Sequence, residues 1–158
     1  MSPFYKFHSP REESNHVLAT KLASFLRKGD CLLLEGNLGT GKTAFARALI
    51  NALEPLEPKR EVPSPTYALV HSYEKDLGEI IHIDLYRLNQ AEEIFELGFL
   101  EALPNALTLI EWPERMGVYT PEETLKIVIT DQSKGRDFSF YGNTAWVERL
   151  SALNDETH

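Results

Sequence analysis

An α/β domain with a mixed central sheet flanked by helices is what this sequence predicts, and three observations predict it. The apolar run CLLLE, Cys31 to Glu35, leads through a glycine-rich stretch into a segment whose Phe45, Leu49 and Leu53 share one helical face, the order of a strand, loop and helix. Two further strands downstream, EIIHID and ALTLIE, each end at an acid. Finally, only KDLG separates Tyr67–Glu74 from EIIHID, and only DQSKGR separates TLKIVIT from DFSFYG. Connections that short join antiparallel neighbours, so the sheet is not purely parallel.

Taken in order, the elements begin at SPRE, where Ser9 as N-cap, Pro10 at the first helical position and Glu12 form a capping box. Val17, Leu18, Leu22, Phe25 and Leu26 then recur at helical spacing up to Lys28-Gly29. After the strand, loop and second helix, the four prolines of EPLEPKREVPSP, residues 54–65, mark an exposed loop. The antiparallel pair follows. NQAEEIFELG reads as a helix capped by Asn89, with Glu92 completing a box and Gly98 ending it. ALTLIE breaks at Pro113, the final hairpin follows, and Trp146, Leu150 and Leu153 define a closing helix. One domain is expected over residues 1–158, with flexible ends at 1–8 and 151–158.

The stretch GNLGTGKT, Gly36 to Thr43, carries the clearest chemistry. Its glycines let Asn37, Leu38, Gly39, Thr40 and Gly41 turn their amides onto a phosphate at the positive end of the following helix. Lys42 supplies a charge for the β- and γ-phosphates, and the Thr43 hydroxyl is placed to ligate Mg2+. This is a P-loop, and the fold it implies is a single P-loop NTPase domain. The metal also needs a carboxylate at a neighbouring strand end, and Asp84 and Glu111 both qualify. One is expected to support the metal while the other orients the attacking water.

Thr66, just before the antiparallel strand, stands where a threonine of a switch segment would feel the γ-phosphate, an order that resembles the small GTPases, against the alternative that SPTY is only a proline-bounded turn starting a strand. No Asn-Lys-x-Asp selects guanine, so ATP is the expected nucleotide. Lys134, in the turn DQSKGR, is a candidate for the base, against the alternative of a solvated hairpin tip. Trp112, directly after Glu111, reads either as a core or rim residue, the commoner role of an aromatic there, or as one that shields the site or meets a partner. His71 and His82 have no companions at metal-site spacing and read as structural.

Composition narrows the remaining classes. A net charge of −8, from 16 basic and 24 acidic residues, argues against holding nucleic acid unaided. The start MSPFYKFH has no apolar core of signal-peptide length, and the longest uninterrupted apolar run is Cys31 to Leu34, so a soluble, cytoplasmic protein with no membrane contact is expected. The single cysteine, Cys31, lies in a core strand and reads as a packed thiol.

GNLGTGKT, SPTY, HIDLYRL and IEWPER, in this order in a small acidic chain, resemble the TsaE (YjeE) family of bacterial P-loop ATPases required for threonylcarbamoyladenosine in tRNA. The likeness runs from about Ser9 to Leu150. It implies an ATPase that works with the TsaD and TsaB proteins, which transfer the threonylcarbamoyl group, while this chain resets or licenses the complex and meets tRNA only indirectly. By the same resemblance Lys42 and Thr43 handle phosphate and magnesium, Asp84 and Glu111 are the catalytic or metal-linked acids, and Trp112 belongs to the functional segment. A small-molecule kinase and a slow nucleotide-gated switch are the alternatives.

Overall fold

A computed structural model describes residues 2–37, 39–53, 71–75 and 78–155. Its centre is a seven-stranded sheet formed by β1 (Tyr5–Ser9), β2 (Cys31–Glu35), β3 (His71–Lys75), β4 (Gly78–Asp84), β5 (Ala106–Glu111), β6 (Leu125–Asp131) and β7 (Arg136–Tyr141), in the spatial order β1-β7-β6-β2-β5-β4-β3. The four central strands, β6, β2, β5 and β4, run parallel. At one edge β3 pairs antiparallel with β4, and at the other β7 and β1 extend the sheet in antiparallel fashion. The mixed sheet read from turn lengths is therefore the observed one.

Alternation along the central strands divides the interior into two layers. Leu32 and Leu34 of β2, with Leu107 and Leu109 of β5, face helices α1 (Glu12–Ala23) and α2 (Lys42–Leu53), where Leu18, Leu22, Phe45 and Leu49 complete the core. On this face Trp146 of α3 (Thr144–Arg149) and Leu153 of α4 (Ala152–Asp155) also pack. Cys31 and Leu33, with Ala106 and Ile110, face the other way against Ile94 and Met116 from 3-10 segments and Phe99 just before a third. Arg149 anchors α3 to the foot of β2 through a 2.6 Å ion pair with the buried Asp30, whose carboxylate also accepts the Arg27 N–H. Among the described residues no helix is long and apolar enough to cross a membrane.

Several local expectations are corrected. Residues 5–8, read as part of a flexible end, form with Ser9 the edge strand β1, registered from Tyr5 opposite Phe140 to Ser9 opposite Arg136. Ser9 therefore ends a strand and does not cap α1. That helix begins at Glu12 behind Arg11, and the Ser9 hydroxyl instead donates to Arg11 O and lies within hydrogen-bond reach of the Asn15 side-chain amide. The segment after β4 is 3-10 in geometry over Ala91–Glu96, and its capping box joins Gln90 and Glu93, one residue later than Asn89 and Glu92. The closing helix is broken in two, with Leu150 ending α3. Residues 54–65, Leu38, Thr66 and the first half of the strand read at Tyr67–Glu74 lie outside the described residues.

Candidate functional site

The glycine loop runs from the carboxyl end of β2 to the first turn of α2, and its backbone is tightly folded. Thr40 N–H and its hydroxyl both donate to Asn37 O, and Phe45 N–H reaches back to Gly41 O to start the helix. Gly36 is required by space: a Cβ there would lie 2.8 Å from the backbone oxygen of Ile129 on β6. Lys42 folds over the loop, donating from Nζ to Gly36 O at 2.6 Å and to Asn37 O at 3.0 Å. The same ammonium lies 4.1 Å from the centre of the Trp112 ring. Burial pushes the Lys42 pKa down, and the negative charges of Glu111, Glu114 and Asp84 oppose the shift.

The two acids named from the sequence are neighbours. Asp84 and Glu111 are opposite one another in the parallel register of β4 and β5, so both emerge on the same face at the edge where the loop lies. The strand ends are tied by Leu85 N–H donating to Glu111 O. Glu111 is almost wholly buried, and each of its carboxylate oxygens is engaged. Oε1 accepts the Thr43 hydroxyl at 2.6 Å, and Oε2 lies 2.7 Å from Nε2 of the enclosed His82. Asp84 is less enclosed and accepts the Tyr86 N–H at 2.9 Å. Burial raises its pKa, a shift reinforced by Glu111 and opposed by the Tyr86 bond, His82 and Lys42.

A cleft of about 320 Å³ is bounded by Gly39, Gly41, Lys42, Thr43, Asp84, Tyr86, Glu111 and Trp112. Trp112 enters it because its backbone is left-handed, with φ 59° and ψ 49°, a conformation that turns the chain sharply at the end of β5 and lays the indole 4.9 Å from the Tyr86 ring. A non-glycine residue held in that region costs about 1–3 kcal/mol, which the contacts with Lys42 and Tyr86 help to offset. The oxygens of Thr43, Glu111 and Asp84 form a donor set suited to a hard cation. Among the described residues no group of three or more His, Cys, Asp or Glu is arranged to hold a metal by itself.

Two contributions were not legible in the motif. Arg136, at the start of β7, donates from Nη2 to Gly39 O at 3.2 Å and pairs through Nε with Asp131, so a cation from the far hairpin braces the loop. Lys134 stands two residues earlier at the exposed tip of that hairpin. His82 is the second: its Nδ1 is buried and has no hydrogen-bond partner among the described residues, an arrangement that costs about 1–3 kcal/mol.

The class that this fold and site define is a mixed α/β protein with a strand, glycine loop and helix at the carboxyl edge of its sheet and two in-register acids beside them. The family model described as threonylcarbamoyl adenosine biosynthesis protein TsaE matches residues 9–138, and the chain belongs to the TsaE family. The tRNA threonylcarbamoyladenosine biosynthesis protein TsaE of Rickettsia felis is 46% identical over 103 residues, 65% of this chain and 59% of that protein. The match thus spans about three fifths of that relative's length. The protein of the same description from Bacillus subtilis is 32% identical over 142 residues, 87% of each chain. Among solved structures, the crystal structure of Bacillus subtilis YdiB superposes with a TM-score of 0.70 at 26% identity, covering 96% of this chain and 95% of that one.

Proposed function

We propose that this protein is a Mg2+-dependent ATPase that supports formation of threonylcarbamoyladenosine in tRNA, acting on an assembly containing the TsaD and TsaB proteins. The observation that carries the hydrolytic reading is the registered pair Asp84 and Glu111, with Glu111 bonded to the Thr43 hydroxyl at the start of the helix that follows the glycine loop. The relatives' description and the family match support the place in tRNA modification.

In this reading the loop amides and the start of α2 receive the phosphates of ATP, and Lys42 exchanges its two carbonyl partners for phosphate oxygens. Thr43 and the acids would hold Mg2+, which when bound supplies charge neutralisation at the β- and γ-oxygens. Glu111 and Asp84 orient water or metal, while Trp112 covers the cleft and keeps bulk solvent from the Lys42 ammonium. No observation favours phosphoryl transfer to a metabolite. A kinase usually carries several arginines over the phosphates; of Arg115 and Arg136, the two near loops after the second acid, Arg115 lies over the Tyr86 ring, 5.7 Å from its centre, and Arg136 is engaged with Asp131 and Gly39 O. With the net charge at −8, contact with tRNA is expected to run through partners.

The test is ATP turnover by the purified chain alone and with TsaB and TsaD, with phospho-acceptor metabolites as control. Stimulation by the partners is expected. Phosphate appearing on a metabolite, with indifference to the partners, would replace this reading with a kinase. Lys42→Ala is expected to abolish Mg2+-ATP binding in a chain whose circular dichroism is unchanged; retained affinity would remove Lys42 from the phosphate site.

A further inference from the structure

His82 stands directly behind Glu111. Its imidazole, on β4 between β5 and the edge strand β3, is completely enclosed, and because a carboxylate only accepts, the 2.7 Å contact means that Nε2–H donates to Glu111 Oε2. The opposite oxygen, Oε1, accepts the Thr43 hydroxyl. Imidazole, carboxylate and hydroxyl thus form a line from the sheet interior to the start of α2. Core filling alone does not account for a histidine here, because a leucine would occupy the space without burying an Nδ1 that has no hydrogen-bond partner among the described residues. What the imidazole adds, and an apolar side chain does not, is the donor to Glu111.

The terminal torsion of a glutamate is broad, so one bond at Oε1 leaves the plane of the carboxylate free to swing. A second bond, to the other oxygen, fixes it. We propose that His82 is a positioning residue that locks the Glu111 carboxylate from behind, so that Oε1 stays presented to Thr43 and to the space beside the phosphates. The kinetic consequence rests on the ATPase reading, whereas the hydrogen-bond geometry does not. Support of this kind behind a functional carboxylate is worth about 10- to 100-fold in activity.

Three variants separate positioning from packing. In His82→Gln the amide nitrogen stands near the former Nε2 and keeps the donor; in His82→Asn the amide is too short to reach Glu111, and His82→Leu has no donor. With TsaB and TsaD present, kcat is expected to fall about 10- to 100-fold in the Asn and Leu variants and to be largely kept by Gln. The Kd for ATP in the absence of Mg2+, set by Lys42 and the loop, is expected to stay at the parent value in all three. Equal losses in Gln, Asn and Leu, or losses that follow the fall in Tm, would overturn the proposal.

A second readout needs no turnover. In the parent chain labelled with 15N-histidine, the NMR spectrum of His82 should show a slowly exchanging Nε2–H, and Glu111→Ala should abolish that tautomer preference. A His82 protonated on Nδ1 alone, or indifferent to Glu111→Ala, sinks the proposal whatever the rates. If the parent chain hydrolyses no ATP with or without partners, the ATPase reading falls, and the spectrum still decides the role of His82.

Discussion

Asp84 and Glu111 occupy matching positions on adjacent strands, yet their surroundings treat them differently. Glu111 is enclosed and has both oxygens bonded, while Asp84 has the Tyr86 N–H and a partly desolvated cleft. Burial, reinforced by Glu111, holds the Asp84 pKa above its ordinary 3.8. Ionising it therefore costs the folded state more than the unfolded one, and stability is given up as the pH climbs from 3.8 through the raised folded value. Without nucleotide or Mg2+, Asp84→Asn is expected to have a higher Tm than the parent at neutral pH, with the advantage disappearing below pH 3.8; thermal unfolding across a pH series checks this. A variant less stable at neutral pH would contradict it. Lys42 has the opposite sign: its lowered pKa makes stability rise with pH between the folded value and 10.5. The loop, Lys42, Thr43 and both acids were legible because strand and helix ends place motif residues at one edge. Arg136 was not, because its contact with Gly39 spans 97 positions of sequence. His82 was hidden for a similar reason, since its role depends on the β4–β5 register.

At the scale of elements, caps were read less well than periodicity. Ser9 satisfies the rule for a capping residue, but β1 pairing with β7 takes it into a strand, and α1 starts later behind Arg11. The hairpin of β6 and β7 shows why its connection carries glycine. Gly135 has φ +90°, and a Cβ there would sit 2.0 Å from the Ser9 carbonyl oxygen, so the turn packs directly against the end of β1. Gly98 also has positive φ, +74°, but open space around it. Gly98→Ala is expected to lose about 1–2 kcal/mol from conformation alone. Gly135→Ala should lose more, because the β1 contact must also shift, and urea denaturation of the two variants side by side measures the difference. Equal losses would mean that the turn does not bear on β1.

Across the whole molecule the sheet binds two apolar layers into one structure. Adjacent residues of β2 and β5 contribute to opposite faces, so neither layer keeps its packing if those strands separate. Phe45 and Phe99, buried in different layers, are accordingly expected to report one transition. Phe45→Ala and Phe99→Ala should each cost about 3–5 kcal/mol and lower a shared midpoint in near- and far-ultraviolet circular dichroism. Near- and far-ultraviolet midpoints that separate within either variant would show that the layers unfold independently. The thiol of Cys31, held between β2 and its neighbours with its pKa pushed up to about 12 chiefly by burial and further by Asp30, should resist alkylation in the native chain. By itself the sequence determined the α/β class, the mixed character of the sheet, the glycine loop and the two acids at the strand ends, because helical and strand periodicity, glycine spacing and turn length are local. Only the tertiary structure decided the strand order, the 3-10 geometry after β4, the left-handed Trp112 over Lys42, and the alignment of His82, Glu111 and Thr43. These depend on which strands pair and in what register, and pairing between distant segments is decided by shared burial that no single stretch of sequence contains.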